Sequence, residues 1–564
     1  MMGISKMHKI KQSVTSRVIS VFLFLYFYKL PKNKTTSMKK LVFLPLAVLC
    51  TYSFAQVDFS AKYSQKITAA ELRKHLTIIS SDAFEGRETG TEGQRKAAAY
   101  IETQFATMGL KKPDALKSYQ QLYPLTQDSI VSLPVFSVNG ISAVNGKDFL
   151  IPLGSNENAK FTSNKLVFAG YGIDDVAYND YANINVKGKV VVLFLGEPKR
   201  DGKYFIDAAG KTSAWTYPGI GKKLDAAKAR GAVGVLIVNP NAETFSKRQV
   251  DNNMSGGVNF ESLPSGNPRS LNYALISHAY AKTIFPVLFD SAVVNAKAKN
   301  TFSPQPTEGT TNILYEFKKQ RNIINASNVI GIIEGTDKKD EYVFLTGHYD
   351  HLGKHDGKIY YGADDDGSGT CGVIAMAEAF AKAAAEGHRP RRTLVFMTVS
   401  GEEKGLWGSE YYSDHPIFPL DKTSIDLNTD MVGRIDTERK TGDTLNYVYV
   451  VGHDKLSSEL PIVNEAANNK YDHLVLDYKY DDPNDPNRIY FRSDHYNFAR
   501  KGVPVLFFYD GMLKADYHKP TDTVDKINFE LYEKRVRMIF HTAWEFANRN
   551  EMAKRDKPLP TATR

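Results

Sequence analysis

Cysteine is nearly absent: the 564 residues carry two, Cys50 and Cys371. Cys50 falls in a stretch that reads as removable, so a fold stapled by disulfides or built around cysteine-held zinc is excluded. Acidic residues are missing from the first 55 positions, where Lys6, Lys9, Lys11, Arg17, Lys29, Lys32, Lys34, Lys39 and Lys40 stand unanswered. These residues account for the whole net charge of +9, and the rest of the chain is formally neutral. A nucleic-acid footprint on the folded part is therefore not expected. Long apolar runs are lacking as well: VISVFLFLYFYKL is too short for a convincing membrane span. No internal repeat is present.

What the N-terminal stretch does contain explains it. From Met38 the chain reads MKKLVFLPLAVLCTYSFAQ: two lysines, a short apolar run, and the small residues Ser53 and Ala55 around Phe54. That is the pattern of a secretory signal peptide cleaved after Ala55. Met38 then marks the true start, residues 1–55 form a leader, and the mature chain is exported, to the periplasm or beyond. Leu49 stands before Cys50 where a lipid-attachment site wants a small residue, so no lipid anchor and no stable membrane insertion are expected after processing.

With 42% hydrophobic and 24% charged residues, the remainder has the make-up of two or three globular domains. Thr68-Ala69-Ala70-Glu71 is a capping box, with Ile67 and Leu72 as a hydrophobic staple, and it opens a helix ending near Ser80. In a second helix over 91–108, Ala97, Ile101, Phe105 and Met108 share one face and Gly109 follows as a cap. The link between them, SDAFEGRETGTEG, reads as a glycine-rich connection. Over 137–300 short β-rich runs take over, among them KLVFAGYGI and GKVVVLFLGEP, and no ligand cluster occurs there. After Asn312 strands and helices alternate: NVIGIIEG, EYVFLTGH, a helix over 369–385, TLVFMTVSGEE, GLWGSEYYSDH, SIDLNTDMVG, ELPIVNEAANNK, VPVLFFYDG and a closing amphipathic helix. This predicts an α/β three-layer sandwich with a mostly parallel central sheet, built from residues 56–136 and 301–550 around a β-rich insert at 137–300. Residues 551–564 read as a disordered tail.

In such sheets the active groups stand where strands end. Residues 346–369, TGHYDHLGKHDGKIYYGADDDGSG, crowd three histidines, five aspartates and six glycines into a stretch unsuited to a regular helix. EYVFLTGH ends at His348, TLVFMTVSGEE at Glu402 and Glu403, SIDLNTD at Asp430, and VPVLFFYDG leads to a loop with Tyr517 and His518. A solvated polar loop accounts for any one of these motifs but not for their convergence on one rim. Adjacent carboxylates after a buried strand call for a cation. Two histidines with three carboxylates suit zinc, and two neighbouring ions need a shared carboxylate. Such a pair acidifies water and polarises a carbonyl, and a further glutamate takes the proton. Cys371, in a helical pattern, reads as a buried apolar filler.

GHYDHLG, GADDDGSG, SGEEKGLWGS, NTDMVGR and YHKPTDT resemble, in order, the signature blocks of the zinc exopeptidase family of bacterial leucyl aminopeptidases, glutamate carboxypeptidase and glutaminyl cyclase. The insert is similar to the protease-associated module that many members carry. The resemblance implies a zinc aminopeptidase-like fold holding two zinc ions. His348 and Asp430 would hold one, Glu403 and His518 the other, and Asp365 would bridge them. It assigns Asp350 to orient His348, Glu402 as general base, and the Tyr517 hydroxyl as donor to the oxyanion. It also implies a cis peptide bond between Asp365 and Asp366. Asp364 and Asp366 are not ligands in this reading, and Asp494 and His495 carry no assigned role. The expected activity is removal of N-terminal residues from peptides, since the anionic site welcomes an α-ammonium group. A carboxypeptidase would need a basic clamp, for which Arg434 and Arg492 are the candidates. Arg492 is equally a candidate to pair with the acidic stretch 481–485. Two further rivals are a one-zinc glutaminyl cyclase and a non-catalytic binding protein on the same scaffold.

Overall fold

The computed structural model describes residues 57–558, apart from 201, 208, 217–218, 240–242, 255, 261–270, 286–308 and 483. The leader, with Met38 and the cleavage site after Ala55, lies outside the described residues. Four strands, Lys338–His348, Arg392–Val399, Thr423–Thr429 and Val505–Tyr509, run parallel and set the architecture; the last three are buried throughout and the first from Val343 onward. Strands buried on both sides belong in a sheet covered on both faces. The register places His348 beside Val399 and Thr429 beside Phe508, so the strands finish along one edge. Tyr447–Val451, a strand that the alternation in the sequence does not announce, runs antiparallel to Val505–Tyr509.

Helices cover both faces. Ala69–Ile79, Glu92–Thr107, Gly369–Ala385 and Phe529–Asn548 bury Leu72, Leu76, Ile101, Phe105, Phe380 and Phe540 in one core. Trp407–Asp414 and His495–Ala499 close the other face through Tyr412 and Phe498. The expected cap is in place, with Thr68 Oγ1 accepting from the Glu71 N–H at 3.2 Å. Among the described residues no helix is long and apolar enough to cross a membrane.

One strand, Gly309–Ile333, belongs to both parts of the molecule. Its first residues pair with Ala159–Phe168 of the insert, its middle forms a ribbon with Gln120–Val138, and its last five pair with Arg392–Val399. The insert adds the parallel strands Val190–Phe194, Gly234–Val238 and Tyr273–Ile276 with the helix Ile220–Ala229, around apolar cores of its own. The expected boundary at 300 lies outside the described residues. The disordered tail is corrected over 551–558. Ala553 N donates to Ser424 Oγ at 2.9 Å, and Arg555 Nη2 reaches the carbonyls of Leu420 and Thr423 at 2.6 and 2.8 Å. Polar composition signalled disorder, but here polar groups of the tail find fixed partners on the folded body.

Candidate metal centre

His348 closes its strand with both main-chain groups fixed: its N–H donates to Asp366 Oδ2 at 3.0 Å and its carbonyl accepts from Thr370 Oγ1 at 2.7 Å. Nδ1 faces the Asp350 carbonyl at 3.1 Å, which turns Nε2 toward a cluster of carboxylates. Nε2 lies 3.4 Å from Asp365 Oδ1, 3.5 Å from Asp430 Oδ1 and 3.8 Å from Glu402 Oε2. Across the cluster, His518 Nε2 lies 3.3 Å from Asp365 Oδ2 and 2.9 Å from Glu403 Oε2. Asp365 therefore offers one oxygen to each histidine, the disposition a bridging ligand requires. Tyr517 stacks on the His518 ring at 3.8 Å, and its oxygen accepts from Arg492 Nη2 at 3.0 Å. The structure thus gathers His348, Asp350, Asp365, Glu402, Glu403, Asp430, Tyr517 and His518 in one place.

The loop over 362–369 is held by its own aspartates. Asp366 accepts from the N–H groups of Gly369 and Met431 at 2.7 and 3.0 Å besides that of His348, so its oxygens are spent on backbone. Asp364 accepts from Gly433 N at 2.9 Å. The Asp366 oxygens thus face backbone N–H groups, although Asp366 also lies within ligand distance of His348 and Asp430. The Asp365–Asp366 peptide bond is cis. Gly369 is required by close approach, because a Cβ there would meet Thr429 O at 2.0 Å.

The electrostatics favour added positive charge. Burial lowers the affinity of His348 for a proton, yet Glu402 and Asp430 outweigh it and hold this histidine well above its ordinary range. His518, likewise opposed by burial, is raised to about 10 by the adjacent carboxylates of Asp365 and Glu403. Burial pushes the Glu402 carboxyl well up, with Glu403 and Asp430 adding to it and His348 opposing. The side-chain atoms His348 Nε2, His518 Nε2 and Asp365 Oδ2 are buried without a hydrogen bond. Buried carboxylates that drive protons onto both imidazoles, together with orphaned ligand atoms aimed at one another, fit a pair of divalent cations.

Asp350 meets His348 Nδ1 through its backbone carbonyl at 3.1 Å, with its carboxylate Oδ1 at 3.7 Å. The readings of Arg434 and Arg492 need correction. Arg434 is no free clamp, since Nη2 is bound to Asp516 at 2.9 Å. Arg492 turns to Tyr517, whereas Asp481 is taken by Lys455 at 2.9 Å and by His453. Asp494, buried, accepts from Ser409 Oγ, and His495 stacks on Phe507 at 4.6 Å, so both are structural.

Among the residues that sequence reasoning missed are His351, Asp522 and Ser493. His351 is fully buried with Nδ1 2.6 Å from Glu403 Oε1; its signal was its place three residues after His348 in GHYDHLG. Asp522 accepts from the N–H groups of Asp364 and Asp365 at 3.0 and 3.1 Å, and it stands inside YHKPTDT. Ser493 donates to Asp430 Oδ2 at 2.6 Å. Beside the carboxylates opens a pocket walled by Met431, Ile489, Phe507, Tyr509 and Leu513, with Arg492 and Tyr517 at its edge.

Residues 328–543 match peptidase family M28 and residues 162–277 match the PA domain. A glutamate carboxypeptidase 2 homolog of Caenorhabditis briggsae is 24% identical over 439 residues, which are 68% of this chain and 54% of its own length. A probable zinc metalloprotease of Pyrenophora tritici-repentis is 32% identical over 146 residues, 24% of this chain and 28% of its own length. The chain thus spans about half, or less, of the length of these relatives. Among solved structures, an aminopeptidase from Aneurinibacillus sp. strain AM-1 superposes with a TM-score of 0.49 at 18% identity, covering 89% of this chain and 100% of that one. Every residue of the centre, from His348 to His518, falls inside the stretch that matches peptidase family M28, and the stretch that matches the PA domain precedes it in the chain.

Proposed function

We propose that the chain is an exported dinuclear zinc aminopeptidase. The observation that carries this reading is the split of Asp365, one oxygen toward His348 and Asp430 and the other toward His518 and Glu403. When bound there, zinc supplies Lewis-acid polarisation of the peptide carbonyl and makes the hydrolytic water more acidic. Glu402, with its carboxyl raised by burial, takes the proton of the attacking water and passes it to the leaving amine. Tyr517, whose oxygen accepts from Arg492, keeps its own O–H to donate to the oxyanion. Glu402 and Asp430 attract the α-ammonium group, and the apolar pocket receives the first side chain. Export rests on the leader from Met38 to Ala55, and peptides are the partners the site suits.

A second reading, a carboxypeptidase, is favoured by one observation: Arg492 lines the same pocket and is able to face a terminal carboxylate. The test compares a free peptide with its N-acetylated and C-amidated forms. Loss of cleavage on acetylation with amidation tolerated supports the aminopeptidase; the opposite pattern overturns it in favour of the carboxypeptidase.

A further inference from the structure

The connection SDAFEGRETGTEG, which contributes no ligand to the centre, is seated against it. Arg87 is fully buried, and the acceptors it reaches are carbonyls. Nε donates to Tyr349 O at 2.7 Å, Nη1 to Ile79 O and Tyr361 O at 3.0 and 2.8 Å, and Nη2 to Gly362 O at 2.8 Å. It therefore pins both ends of the loop that leaves His348 and returns at Gly362. Gly86 lies so close beneath that loop that a Cβ would meet Tyr360 O at 2.4 Å, and its φ of +70° also selects glycine.

Two residues on, Thr89 is 1% exposed and makes the contact that bears on the chemistry. Its hydroxyl donates to Asp350 Oδ2 at 2.6 Å and accepts from Gly401 N at 2.9 Å. The other Asp350 oxygen accepts from Glu402 N at 3.2 Å. Since the Asp350 carbonyl faces His348 Nδ1, the place of Asp350 decides where His348 Nε2 points. One hydroxyl thus ties the support of His348 to the backbone that carries Glu402 and Glu403. We infer that Thr89 is a positioning residue of the centre, keeping His348 and Glu402 in mutual register; the inference rests on the reading of this cluster as a metal centre. A partner that holds a ligand directly, as Asp350 holds His348, typically contributes about 10- to 100-fold in metal affinity, and Thr89, which acts through Asp350, is expected at the lower end of that range.

The test uses the full mature chain as Thr89→Val, Thr89→Ser and Thr89→Ala. Zinc affinity of the metal-free proteins is measured by competition with a chromogenic chelator, alongside kcat, KM and melting temperature. Thr89→Val is expected to bind zinc about 10-fold more weakly and to lose kcat with KM little changed, and Thr89→Ser to restore both. Should the valine variant not fold, serine against alanine decides, because both are smaller than threonine and differ in the hydroxyl; serine is expected to bind the tighter by about 10-fold. Equal zinc affinity in each compared pair, whatever the melting temperatures, overturns the inference and leaves Thr89 a plain structural residue. A wild-type chain that takes up no zinc overturns the metal-centre reading itself, and is seen before any variant is made.

Discussion

Glu402 differs from its neighbour Glu403 in a way that only the folded environment creates. Glu403 is engaged by His351 and His518, which hold its carboxyl below the ordinary range against burial, whereas burial leaves Glu402 raised. In the proposed mechanism the two adjacent glutamates thereby take separate roles, ligand and base. Glu402→Gln is expected to keep its full zinc content while kcat falls by about two to four orders of magnitude, measured by metal analysis and steady-state kinetics on an aminoacyl substrate. Near-normal turnover would remove Glu402 from the mechanism. At this scale the sequence showed side chains whose chemistry is scarce and strand-terminal, such as His348 and Asp430. It hid residues whose role is to hold others. Thr89 and Arg87 carry no ligand chemistry, and the partners Asp350 and Tyr349 through which they meet the stretch after His348 are 261 and 262 positions away. Only tertiary contact reveals such work.

Among the elements, Val505–Tyr509 and the buried parts of Lys338–His348 and Arg392–Val399 were legible because burial on both faces writes them as largely apolar runs, whereas in Thr423–Thr429 Ile425 and Leu427 stand among buried polar residues. Tyr447–Val451 was not, since it pairs antiparallel with Val505–Tyr509 and falls outside the strand–helix alternation. Gly309–Ile333 was read only from NVIGIIEG onward, because its middle, KKQRN, is polar; that stretch pairs in a ribbon with Gln120–Val138 instead of entering a core. The start of Gly369–Ala385 shows how tightly an element end meets the site. Its first residue packs on Thr429 O and donates to Asp366, which in turn fixes His348. Gly369→Ala forces that contact apart and is expected to destabilise the chain by about 1–3 kcal/mol with loss of zinc affinity, read by denaturant unfolding and chelator competition. An alanine variant with unchanged stability and affinity would show that the helix start is free to move.

For the molecule as a whole, the centre couples metal, protons and stability. In the metal-free chain the carboxylates hold protons on the histidines: His518 moves from 6.5 to about 10, and His348 is shifted in the same direction. A group whose folded value is raised stabilises fully below its unfolded value, and that contribution disappears as pH rises through the folded value. The metal-free chain should therefore lose stability between about pH 6.5 and 10 from this source. Zinc bound at the proposed centre would take the place of those protons, so the bound chain would lack the dependence, and ligand binding would add its own stabilisation. The gap in melting temperature between zinc-loaded and chelated protein is expected to widen with pH across that window, measured at fixed zinc excess. Binding of zinc at about pH 8, inside the window, is expected to release protons, seen as a dependence of the binding enthalpy on the ionisation enthalpy of the buffer, and His518→Ala should reduce that release. A gap constant in pH, with an enthalpy independent of buffer, would mean that the imidazoles are already neutral without metal, and that the carboxylates are relieved by some other cation.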